Sequence, residues 1–215
     1  MKILANPLGV LLLSLFGFLP VVALFAIGGD RAFSALSHPQ QVYDLVRNPS
    51  TGQVLWLVAG NLGDAVGYYL VVFPIAAMLA KRAKAASGRI GSWLVMLYAA
   101  NGAFWALVSA VALPIAAYRD AATWARVTTI CQTIGCGTIG NTLGSIGWLA
   151  LGAYFFTTRR GFAVFSVVLG VMYFLGGQIA SALIPTWLAI AGVSFYLAFQ
   201  LIVWNPWFAS AARGA

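Results

Sequence analysis

Glutamate is absent from this chain, and only four acids occur at all: Asp30, Asp44, Asp64 and Asp120. Histidine occurs once, as His38, and cysteine twice, as Cys131 and Cys136. Charged residues make up 7% of the 215 residues. Each scarcity removes a class of chemistry. A single histidine cannot supply bis-histidine haem ligation. Without glutamate there is no H-E-x-x-H helix, and no two carboxylates are spaced for paired acid–base work. No metal-ligand set and no cofactor motif is present, so the residues point to no enzyme class. A soluble domain carries about 25% charged residues. Here 62% of residues are hydrophobic and the mean hydropathy is +0.92. A soluble core of this size could not hide so much apolar surface, so the solvent is lipid.

What charge there is has a pattern. The net charge is +8, but the bases cluster at the ends of apolar runs rather than along a polar face, which excludes a nucleic-acid partner. A spanning helix needs about 20 mostly apolar residues. Six segments qualify: Leu8–Ile27, Val54–Ala80, Ser92–Tyr118, Ile139–Thr157, Phe162–Ile184 and Trp187–Trp204. Lys2, Lys81, Arg82, Lys84, Arg89, Arg159, Arg160 and Arg213 fall on one side of them. Arg31, Arg47, Arg119 and Arg126 fall on the other, together with Asp30, Asp44 and Asp120. The positive-inside rule then places both termini in the cytoplasm. The expectation is one all-α domain over residues 1–215, a six-helix polytopic bundle whose partner is the lipid bilayer. The first segment is longer than the 7–15-residue apolar core of a signal peptide, so it reads as an ordinary first helix carrying a kink at Pro20.

Two connections on the acid-bearing side are long. In the first, Pro39 suits a helix start and Asn48-Pro49 a stop, with Val42, Leu45 and Val46 on one face. That spacing predicts a short helix lying on the membrane or capping the bundle. His38 just before it reads as a turn residue. The second, Arg119–Thr138, is either an interfacial helix or an extension of the fourth segment. It carries Cys131 and Cys136, placed where disulfides persist. A C-x4-C pair can close a small loop or remain two buried thiols, and one continuous helix would point the two apart. At the far end of the chain, Trp204, Trp207 and Phe208 read as an interfacial aromatic anchor.

Asp64 is the only acid well inside an apolar run. A carboxyl at that depth must face protein or water. At 100° per residue, Asn61, Asp64 and Tyr68 share a helix face, while Gly60, Gly63 and Gly67 form a separate smooth face suited to close helix approach. The stretch Gly60-Asn61-Leu62-Gly63-Asp64-Ala65-Val66-Gly67-Tyr68 also has an echo in Gly140-Asn141-Thr142-Leu143-Gly144-Ser145-Ile146-Gly147-Trp148. The echo suggests a two-helix repeat, the second and third segments matching the fourth and fifth, with an axis along the membrane normal. The plainer alternative is that glycine-rich helices look alike by chance.

At 1.5 Å per residue, Asp64, Asn141 and Gln178 all come out about 25 Å above the basic boundary, with Tyr68 and Asn101 a little lower. With Asn61, which shares the face of Asp64, these five residues form a candidate binding site for a small solute or a proton. The competing reading is interhelical hydrogen bonding by the same groups. The layout of six helices, a long first outer loop, a basic loop after the second helix and Arg159-Arg160 after the fourth resembles a family of bacterial six-helix membrane proteins catalogued as a domain of unknown function. That resemblance implies the fold and supplies no catalytic residue. Two function classes follow: small-solute or proton-linked transport or binding through Asp64, or a non-catalytic accessory subunit held by a partner membrane protein.

Overall fold

The computed structural model describes residues 6–31, 39–131, 134, 138–176 and 198–215. Its regular structure among these is helical throughout. The first segment is two helices, α1 (Pro7–Ser14) and α2 (Leu19–Gly28), joined by a 3-10 turn over Leu15–Phe18. Pro20 explains the break, because its ring would strike the carbonyl of residue 16 in a regular helix and it has no N–H to donate. The short α3 (Pro39–Val46) follows. Asn48, at φ 50°, takes the left-handed conformation that turns the chain away from it.

The second segment begins with a reciprocal cap. Ser50 N–H donates to Gln53 Oε1 at 2.9 Å and Gln53 N–H to Ser50 Oγ at 3.3 Å. From there α4 (Thr51–Asp64) runs into a π-helical turn over Ala65–Tyr69 and then α5 (Leu70–Arg82). Leu70 N–H donates to the Ala65 carbonyl, five residues back. Pro74 sits one turn further on and leaves the Leu70 carbonyl without its helical donor. α6 (Ala86–Ala117) passes unbroken through Asn101-Gly102 and Pro114. The second long connection holds a helix, α7 (Ala121–Ile130), and most of residues 132–137 between it and the next segment lie outside the described residues. α8 (Thr138–Phe155), α9 (Arg160–Gly176), a π-helical stretch over Phe199–Trp204 and α10 (Asn205–Arg213) complete the described chain.

Among the described residues, three helical stretches are long and apolar enough to cross a membrane: Leu8–Arg31, Thr51–Arg82 and Ala86–Ala117. The description of the fourth and fifth expected spans covers 18 residues in α8 and 17 in α9, and residues 135–137 before α8 and 177–184 after α9 lie outside it. Most of the sixth, including residues 187–197, lies outside the described residues. α6 occupies the middle, with α4 and α5 packed on one flank and α8 on the other, and α9 packs outside α8. α2 packs on α4.

That last contact is backbone against backbone. A Cβ on Gly67 would run into Gly17 N and the carbonyl carbon of Phe16, and one on Gly63 into Leu19 and the Phe16 carbonyl oxygen. The glycine face read from the sequence is therefore the seat of the broken first segment. On the same side of α6, Tyr69 occupies the space a side chain at Gly102 would need.

At the basic end, α10 packs on α1 and α5. Arg82 Nη1 donates to the Arg213 carbonyl at 2.7 Å. Trp204 and Phe208, expected as interfacial anchors, are instead fully buried. Trp204 stacks on Phe162 at 4.6 Å and meets Trp148 edge-on at 5.4 Å. The π-helical stretch before α10 and the contacts of α10 turn these rings inward, which linear hydropathy does not encode. At the opposite end, Tyr118 Oη donates to the Pro49 carbonyl at 2.7 Å and Asn48 N–H to the Ala117 carbonyl at 3.1 Å. Tyr43 and Trp124 bring α3 against α7, with Val46, Ala116 and Ala117 in the same small core.

Gly67→Ala is expected to destabilise the fold by about 1–3 kcal/mol through overpacking. Gly161→Ala should be neutral, because its Cβ would meet only Trp207 at 3.5 Å, an ordinary contact. Unfolding in a mixed-detergent titration checks both. Asp120 caps α7, accepting from Thr123 N–H at 2.8 Å and Thr123 Oγ1 at 2.9 Å. These bonds hold its carboxyl below the ordinary 3.8. Its folded value is the lower one, so the cap is complete above pH 3.8 and is lost as the pH falls through that lowered value. Hydrogen exchange across α7 should speed up in Asp120→Ala at pH 7 and much less in Asp120→Asn, which still accepts.

Candidate functional site

Asp64 is the last residue of α4, roughly 20 Å along the helix from Thr51. It lines a cavity of about 140 Å³ between α2, α3 and α4. From α2 come Pro20, Ala23, Leu24 and Ile27. From α3 come Val42 and Val46, the two residues whose spacing predicted a capping face. From α4 come Leu57 and Gly60, with Asn61 one turn before Asp64. α2 and α4 run in opposite senses, so Pro20, Asn61 and Asp64 form the deep end. Ile27, Leu57 and the two valines of α3 form the end nearest the loops. Gly60 matters to the shape: a Cβ there would come within 3.1 Å of the Ala23 Cβ and 3.3 Å of the Pro20 Cα.

The polar groups are few and unequal. Asn61 Nδ2 donates to the Leu57 carbonyl of its own helix at 2.8 Å, which orients its amide and engages one of the two N–H groups. Among the described residues, none forms a hydrogen bond or ion pair with the Asp64 carboxyl, so none of them clasps it across the helices. A carboxyl held away from bulk water and without a protein partner needs water or a ligand in the space it faces.

Of the six candidate residues, the cavity gathers two, Asn61 and Asp64. Asn101 donates from Nδ2 to the Ile134 carbonyl at 2.8 Å, beyond the end of α7. Asn141 lies on α8, and α6 stands between α8 and α4. Equal depth fixes one coordinate only, and the packing order of the helices fixes the others. Gln178 lies outside the described residues. Tyr68 falls within the π-helical turn, where the 100° phase that grouped it with Asp64 no longer applies. Cys131 carries a free, half-buried thiol just after α7, and Cys136 lies outside the described residues.

The aromatic next to Tyr68 is the one with a visible role. Tyr69, Tyr98 and Tyr173 form an edge-to-face series, at 5.6 Å and 5.3 Å between ring centres. The hydroxyls of Tyr98 and Tyr173 lie 2.7 Å apart in the core. Sequence reading passed over this series. Its one available signal was Gly102, a glycine in mid-helix where a large ring from a neighbour can rest. The echo of the Asp64 stretch differs as well: Gly140–Trp148 lies in an unbroken α-helix, and Gly144 and Gly147 receive Tyr98 and Val95 of α6 instead of the first segment.

No protein-family model matches this chain, and no match to it is found among curated proteins or solved structures.

Tyr98→Phe and Tyr173→Phe should each cost about 1 kcal/mol of stability, the net worth of a hydrogen bond. The double variant should cost less than the sum, because the two changes remove the same bond. A double-mutant cycle by detergent unfolding measures this.

Proposed function

We propose that this chain is a six-helix inner-membrane protein with both termini in the cytoplasm, which binds and moves a small solute or a proton at Asp64. One observation carries the reading: the Asp64 carboxyl lines a cavity between α2, α3 and α4, with no hydrogen-bond or ion-pair partner among the described residues. An acid kept only for packing would be expected to find an amide or hydroxyl on a facing helix. The π-helical turn that begins at the next residue adds support, since such turns are frequent at functional sites. The topology draws support from the sorting of charge: Arg82 and α10 meet at one end, and the capped connections bearing Asp44 and Asp120 lie at the other. The cavity lies at the acid-bearing end, so access to Asp64 is from the non-cytoplasmic side.

The test is made on purified protein in liposomes loaded with a pH-sensitive dye. After an imposed pH step, the wild type is expected to dissipate the gradient faster than protein-free vesicles. Asp64→Asn should fall to the protein-free rate while eluting as the same monodisperse species. A wild-type rate in that variant overturns the reading.

A further inference from the structure

The geometry points to a monovalent organic ammonium with a compact apolar body as the solute of the Asp64 cavity. This inference rests on the role proposed above for Asp64 and specifies what the cavity takes. Its polar atoms decide the class. Among the described residues the Asp64 carboxyl makes no hydrogen bond or ion pair, and one of the two Asn61 Nδ2 hydrogens is given to the Leu57 carbonyl. What remains to a ligand at the deep end is mostly acceptor: the two oxygens of Asp64 and the Oδ1 of Asn61, against a single amide N–H. An ammonium group is the complement, with a positive charge and donors only. Anions are excluded by the carboxyl. Sugars and amino acids are poor fits, because their several hydroxyls or carboxylate would lie unpaired against apolar walls. A bare calcium ion wants about 6–8 oxygen ligands, more than this cavity offers.

The walls and the volume decide the body. Apart from Asn61 and Asp64 the lining is apolar: Pro20, Ala23, Ile27, Val42 and Val46 form its walls, with no aromatic ring or second charge among the described residues that line it. The absence of rings among these residues means that charge recognition falls to the carboxyl rather than to a cation–π cage. The volume of about 140 Å³ is close to that of apolar cavities, of about 150 Å³, that accept benzene. A six-carbon ring or branched chain fits, with its ammonium at Asp64 and its hydrocarbon toward Val42 and Val46 of α3.

Cyclohexylammonium is the probe, and cyclohexanol is its uncharged counterpart. Full-length protein in lipid nanodiscs is titrated with each by calorimetry, with empty nanodiscs subtracted. The amine is expected to saturate, and cyclohexanol to bind at least about tenfold more weakly, as loss of a charge-assisted bond implies. Asp64→Asn should weaken the amine by at least about tenfold and leave cyclohexanol unchanged. Val42→Phe keeps the carboxyl but fills the cavity from its loop end, so it should weaken both ligands. Equal binding of amine and alcohol, wild-type amine affinity in Asp64→Asn, or wild-type binding in Val42→Phe each overturns the inference. Failure of the wild type to bind the amine, with proton flux still dependent on Asp64, overturns the ammonium alone. Loss of both overturns the role of Asp64 itself.

Discussion

Where the first segment crosses the second, backbone meets backbone at Gly17 and Gly67, with no side chain to hold the two helices apart. In lipid there is no hydrophobic gain in bringing two apolar helices together, so close van der Waals contact must supply the attraction. Glycine makes that contact dense, and the 3-10 turn before Pro20 bends the first segment onto it. The placement of everything else near Asp64 follows. Because Gly60 lets Pro20 and Ala23 lie close, α2 forms a wall of the cavity rather than standing off by a side-chain length. Leu201, packed on Gly17 from the other side, ties the crossing to the end of the chain.

Around this crossing the protein divides its work. The basic end is an aromatic core, with Trp148, Phe162, Trp204 and Phe208 sealed against one another and α10 drawn in by Arg82 and by the bond from Asn205 to Ser14. The middle is filled by tyrosines whose hydroxyls satisfy each other. The acid-bearing end is different. Its small core of Val46, Ala116, Ala117 and Trp124 braces α3 from above and leaves open space beneath it, beside Asp64. A rigid cap over an aliphatic hollow is a scaffold that can shelter a charge without filling the room it needs.

Much of this was legible in the residues. Pro39 and Asn48-Pro49 marked α3 and its stop, and the three glycines marked the crossing face. Asp64 and Asn61 were found from depth and phase alone. The convergence of Asn141 with them was not legible, because a linear count of residues gives height but not lateral position, and α6 lies between. The inward turn of Trp204 and Phe208 escaped for a related reason: hydropathy places an aromatic near a boundary but does not say which way the helix bearing it is rolled. The π-helical turn left no mark in composition. It reflects the demands of the Gly17 crossing and of Pro74 on one stretch of backbone, which only the folded arrangement reveals.

That wide turn has a consequence for the carboxyl beside it. A π turn holds one residue more than the α turn it replaces. The two halves of the second segment are thus out of step by about a quarter-circle relative to a plain helix. The heading of Asp64 relative to Tyr69, and so to the tyrosines on α6 and α9, is set by the number of residues in five positions of chain, not by any bond the acid makes. A register so defined can be rewritten by moving the wide turn along the helix, which would swing the acid around the axis while the helix ends stay where they are.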